Sequence, residues 1–133
     1  MFGYVAGLPA FLAYFAIGIA MLLIFAGAYA TATPHKELNL IRQGNSAAVV
    51  AYLGAIFGFS LPLASAAAHS VSVGDFIIWA VIGGIVQVIA FFIASYTMED
   101  LPKKITEGEV SAGLWAGGIA LAVGLLNAAC MTY

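Results

Sequence analysis

Four polar side chains, Ser60, Ser65, Gln87 and Asn127, stand inside otherwise apolar stretches of this chain. Pro62 lies between the two serines, and a proline has no N–H, so it frees one backbone carbonyl of any helix that contains it. In apolar surroundings such groups have two uses. They hydrogen-bond one helix to another, or they line a narrow polar path or small ligand site. Ser60 or Ser65 is a conceivable nucleophile, but a serine needs an adjacent base and none is evident at the same depth. His69 could bind a metal or respond to pH, yet a metal needs several ligands and the nearest acid is Asp75. Cys130 is the only cysteine; it could pair across a dimer in an oxidising compartment or act as a small apolar packing residue. No catalytic, cofactor-binding or metal-binding set emerges, and neither enzyme activity nor a cofactor is expected.

The surrounding elements follow from composition. Of 133 residues, 64% are hydrophobic and 8% charged, and the mean hydropathy is +1.08. Such a chain is an integral membrane protein. Its charges cluster so as to leave uncharged windows at residues 1–34, 43–74, 76–98 and 110–133. A bilayer core about 30 Å thick needs roughly 20 apolar residues as a helix, so each window holds one transmembrane span. The spans are expected at about residues 9–31, 46–69, 76–97 and 111–132, an all-α polytopic fold. That leaves no soluble domain, which excludes an enzyme with a large extramembrane site. A net charge of −2 argues against nucleic acid as a partner. The first window has no basic residue before His35 and is too long for a signal-peptide core, so it reads as a span.

Local signals refine this plan. Pro9 suits the first turn of the first span. Thr33, Pro34 and Glu37 read as the N-cap, first position and first-turn acid of a short helix. Leu38, Leu40 and Ile41 give that helix an apolar side, and Gly44 ends it. Gly54 and Gly58 in the second span, and Gly113 and Gly117 in the fourth, have the G-x-x-x-G spacing that lets helices approach closely; a homo-oligomer is expected from them. Pro62 should kink the second span near Gly58, with Ser60 or Ser65 serving the freed carbonyl. Ser72 and Asp75 have capping-box spacing ahead of the third span.

Residues 38–66 reappear, shifted by 64 positions, as residues 102–130. Ile41/Ile105, Gly44/Gly108, Ala48/Ala112, Gly54/Gly118, Leu61/Leu125 and Ala64/Ala128 are identical at that offset. The chain therefore reads as one membrane domain of two parallel two-helix halves, residues 1–69 and 70–133. Lys36 and Arg42 lie in the first loop and Lys103 and Lys104 in the third, so both loops are expected in the cytoplasm and both termini in the periplasm.

Three strings, at residues 33–45, 58–65 and 124–133, resemble the YjfL-type family of small bacterial inner-membrane proteins. The similarity spans essentially the whole chain. It implies a four-helix plasma-membrane protein of a family without a characterised activity, which carries no catalytic residues over to this chain. It also implies a cytoplasmic membrane-stress partner. The functional expectation is a non-catalytic membrane scaffold or membrane-homeostasis component, whose charged loops dock partners or anionic lipid. The alternative is a channel-like or small-solute pore subunit, with Ser60, Ser65, Gln87 and Asn127 facing a shared axis around Pro62.

Overall fold

In the computed structural model, which describes residues 2–34 and 36–131, the chain is helical and the described residues contain no strand. In chain order the helices are α1 (Phe2–Ala32), α2 (Glu37–Arg42), α3 (Ser46–His69), α4 (Val73–Thr97), α5 (Leu101–Thr106) and α6 (Val110–Cys130). The four long helices, α1, α3, α4 and α6, have the length and apolarity to cross a bilayer. The chain is an all-α membrane protein with four spans.

The helix ends show which local signals govern. Pro9 does not open α1; the helix starts at Phe2 and Pro9 lies inside it. One missing backbone bond in an early turn is offset by the helical bonding of the residues ahead of it. The hydroxyl of Thr33 does not cap α2 but donates to the Tyr29 carbonyl at 3.1 Å, closing α1. As a result α2 begins only at Glu37, with Lys36 at its N-cap and no side-chain cap. Ser72 caps α4 as its spacing requires: its Oγ accepts from the Asp75 N–H at 3.1 Å, while Asp75 Oδ2 accepts from the Val71 N–H at 3.1 Å. Thr132 and Tyr133, expected at the end of the last span, lie outside the described residues, as does His35.

Both short helices end on a left-handed glycine, Gly44 at φ +83 and Gly108 at φ +84, where any side chain would strain the backbone. The hydrogen bonds of the two ends match. Gly44 donates to Ile41 O and Asn45 to Leu40 O, at 3.0 and 2.9 Å; Gly108 donates to Ile105 O and Glu109 to Lys104 O, both at 3.0 Å.

The centre of the bundle is the α3–α6 pair, by far its most extensive helix contact. Gly113 meets the backbone of Ala47, Gly117 meets Val50 and Gly54, and Gly124 meets Gly58. Since partner positions rise together, α3 and α6 run parallel. A methyl group on Gly54, Gly113 or Gly124 would overlap backbone atoms of the facing helix. The G-x-x-x-G glycines of both helices are thus occupied within one chain, and a second copy would have to use another surface.

Helix α4 packs antiparallel to α6, with the Trp115 indole donating to Thr97 Oγ1 at 3.0 Å near one end and Asn127 donating to Gly83 O at 3.2 Å near the other. This arrangement puts α2 and α5 on the same face of the bundle. Asn45 joins them: its Oδ1 accepts from the Ala48 N–H at 3.0 Å to cap α3, and its Nδ2 donates to the Ile105 and Thr106 carbonyls at 2.9 and 3.2 Å.

Helix α1 is peripheral. It touches α3 and α4 through an aromatic column in which Phe25 stacks on Phe59 at 4.3 Å, and Tyr29 lies 6.2 Å from Tyr52 and edge-on to Phe91 at 5.9 Å. The Tyr52 hydroxyl donates to Ala26 O at 2.7 Å. Elsewhere two apolar clefts open along α1, one of about 460 Å³ towards α3 and one of about 330 Å³ towards α4.

Candidate functional site

Two of the polar residues inside the membrane, Gln87 and Asn127, meet at a junction of α3, α4 and α6. Gln87 of α4 is 1% exposed. Its Nε2 donates to Ala120 O of α6 at 2.9 Å. The space it fills belongs to Gly58 of α3, where an added Cβ would lie 2.7 Å from that nitrogen. Asn127 of α6 donates back across the gap to Gly83 O at 3.2 Å, with a longer 3.4 Å contact to Gln87 Oε1. Side-chain amides here satisfy helix carbonyls at places where glycine and alanine let backbones come near. A buried amide kept in this way holds helices together, because opening the junction would leave polar groups in hydrocarbon.

Pro62 is buried beside it, its ring against Gly83 of α4. The missing N–H of Pro62 leaves Gly58 O without its helical donor. Neither serine serves that oxygen: Ser60 Oγ donates to Phe57 O of its own helix at 2.7 Å, and Ser65 Oγ donates to Ala128 O of α6 at 2.9 Å. The freed carbonyl faces Gly124 instead, so closely that a Cβ there would overlap it. A weak Cα–H···O contact across α3 and α6 is the interaction this geometry allows.

The candidate path residues do not share an axis. Ser65, Gln87 and Asn127 tie α3 and α4 to α6, while Ser60 borders the almost wholly apolar cleft beside α1. A base does stand near Ser65: His69 Nδ1 is 3.5 Å from its Oγ. However, the serine proton is directed to Ala128 O, and the same imidazole nitrogen lies 2.9 Å from Ser65 O, where it serves as a donor. No lone pair is left aimed at the hydroxyl, so the pair lacks the arrangement that activates a nucleophile. Among the described residues no three His, Cys, Asp or Glu side chains come together as a metal site, and Cys130 is exposed.

Lys36, Arg42 and Lys103 are exposed and Lys104 is half-buried, all on the face that carries α2 and α5. Sequence reasoning missed two residues on that face. Asn45 was legible only as the start of an apolar run, although Asn before such a run is a cap signal. Glu37 is the first-turn acid of α2 that the sequence marks, but its burial, at 1% exposed, was not legible there; Leu38, on the apolar side expected of α2, is 48% exposed.

No solved structure matches the chain. Two curated proteins do, both named UPF0719 inner membrane protein YjfL, from Escherichia coli strain K12 and from Escherichia coli O157:H7. Each is 43% identical over 126 residues, covering 95% of this chain and 96% of the relative. The family model described as Domain of Unknown Function (DUF350) matches residues 3–131. With four apolar helices over that same stretch, the chain belongs to the DUF350 family.

Proposed function

We propose that this protein is a non-catalytic scaffold of the bacterial inner membrane, the membrane that its relatives' name specifies, contributing to membrane homeostasis. The observation that carries this reading is the use of the intramembrane polar groups. Ser65, Gln87 and Asn127 are engaged with carbonyls of neighbouring helices, and the α3–α6 contact is backbone against backbone. That leaves a rigid, dry centre and puts the exposed cations Lys36, Arg42 and Lys103 on one face to meet a protein partner or anionic lipid. The matching ends of α2 and α5 support descent from two parallel halves, and the basic residues favour a cytoplasmic position for both short helices. A homo-oligomer, if formed, uses surfaces other than Gly54, Gly58, Gly113 and Gly117.

A pore subunit would need its lumen between copies, since Gln87 is sealed inside one. Purified protein in liposomes tests the choice. The scaffold reading expects no flux across a broad set of ions and small solutes, together with capture of a cytoplasmic partner that is lost on substituting Arg42, Lys103 and Lys104. Flux of any of these through the wild-type protein would overturn it.

A further inference from the structure

Two hollows follow one another along a single stripe of α1. Ile24 and Ala28 line the apolar cleft of about 330 Å³ towards α4, and Thr31 lines a hollow of about 420 Å³ between the end of α1 and the start of α2. Residues spaced as 24, 28 and 31 share one helix face, so the two openings are neighbours. Gly27 stands between them, and an added Cβ there would meet nothing within 4 Å. The buried rings of Phe25 and Phe59 floor the cleft, and its mouth, at Ile24, Ile85 and Ile89, is exposed within the spans, where the surroundings are hydrocarbon. The hollow lies at the end of the span and carries the exposed Lys36 and Asn39. Glu37 also borders it but is buried, so an anionic occupant is held at the outer edge, on Lys36 and Asn39 and away from the carboxylate.

A cleft that opens into hydrocarbon does not stay empty, because walls facing a void lose their dispersion contacts. A helix of a second copy is too large for it: one turn with its side chains, about 10–12 Å across and 5.4 Å tall, occupies roughly 400–600 Å³, more than the whole cleft. A hydrocarbon chain is one methylene wide and fits. Tails alone bring no preference, since lipid is as apolar as the cleft, so discrimination must come from the cation next to it. We propose that the cleft between α1 and α4 and the hollow beside it form one binding site for an anionic phospholipid of the leaflet at the α2 end, with an acyl chain against Phe25 and Phe59 and the phosphate on Lys36 and Asn39. The larger cleft, towards α3, has no charged residue in its lining and so nothing to hold a head. Resting on the scaffold reading only for a basic face at the membrane surface, the site gives that face a specific lipid rather than a general attraction.

The test uses the full chain in nanodiscs of mixed dioleoylphosphatidylglycerol and dioleoylphosphatidylcholine, with native mass spectrometry to count the lipids that stay bound. Phosphatidylglycerol should be retained in preference to phosphatidylcholine. Lys36→Gln should lower that retention about fivefold, the effect of one cation at the membrane surface, while Lys103→Gln, on the same face but away from the hollow, should leave it unchanged. Ala28→Phe, which fills the cleft where it meets the hollow, should abolish retention, and Ala64→Phe in the other cleft should not. In the unsubstituted protein, phosphatidylglycerol with a diazirine in its acyl chain should label Phe25 and Ile85, and excess unlabelled phosphatidylglycerol should suppress that labelling more strongly than labelling of Leu126, which is 68% exposed outside the cleft. Equal retention of the two lipids, equal losses in Lys36→Gln and Lys103→Gln, or labelling of Phe25 and Ile85 no more suppressible than that of Leu126 overturns the proposal. The crosslinking needs no substitution, so it decides the matter even if a variant does not fold. A protein that captures a cytoplasmic partner yet retains no phosphatidylglycerol overturns the lipid site and leaves the scaffold standing.

Discussion

Gly118 and Gly124 lie in the same helix, and only one of them should tolerate a methyl group. At Gly118 an added Cβ meets nothing within 4 Å; at Gly124 it overlaps the oxygen, carbon and Cα of Gly58. Replacing glycine by alanine inside a helix gains roughly 0.5–1 kcal/mol, because alanine has less backbone freedom to lose. Gly118→Ala should therefore stabilise the protein by about that much. Gly124→Ala gains the same but forces apart two backbones, which cannot rotate out of the way as a side chain would. Overpacking of this kind costs about 1–3 kcal/mol. The propensity gain cancels in the comparison, so the two variants should differ by about 1–3 kcal/mol, or roughly 5- to 150-fold in the folded-to-unfolded ratio. Equilibrium unfolding by steric trapping in bicelles reads that ratio directly. Equal stability of the two variants would refute the backbone-to-backbone packing of α3 on α6.

Gln87→Leu and Asn127→Leu should each cost on the order of 0.6 kcal/mol in the same assay, and the double substitution should cost less than the sum because the two amides touch. Additive losses would mean that they act separately. Asn45→Ala should destabilise by about 1–2 kcal/mol through loss of the α3 cap and of the tie to α5. Asn45→Ser keeps an acceptor for the cap but cannot reach the Ile105 and Thr106 carbonyls, so a stability equal to wild type would show that the tie contributes nothing. Cysteines placed at Arg42 and Lys103 should react with an impermeant maleimide from the cytoplasmic side only. Labelling from opposite sides would break the parallel arrangement of α3 and α6.

The spans were readable because charge is so costly in hydrocarbon that a run without it is decisive, and Gly44 and Gly108 were readable as helix ends because few residues tolerate their φ. The partner of each glycine stripe was not readable. G-x-x-x-G says that a helix can be approached closely, not which helix approaches, and here α3 and α6 of one chain meet. Pro62 was correctly seen to free a carbonyl, yet the nearby serines are satisfied elsewhere and the facing surface is Gly124, 62 positions away. Glu37 was legible as the first-turn acid of a short helix, but its burial depends on how α2 packs against the rest of the bundle, which local signals do not carry.

The pairing of α3 with α6 also constrains how the molecule is made. The tightest contact joins the second span to the last, with α4 and α5 between them in the chain. While the ribosome, adding about 5–20 residues per second, is still producing α4, the glycine face of α3 is already in the membrane without its mate. The amide of Gln87 then has Ala120 O still to come, and Asn45 has no Ile105 carbonyl to reach. The centre of the bundle is therefore the last part to exist, and a chain cut before α6 would expose in lipid both a bare backbone groove and an unsatisfied amide. Those are features that membrane quality control could recognise in an unfinished copy and that the finished one conceals.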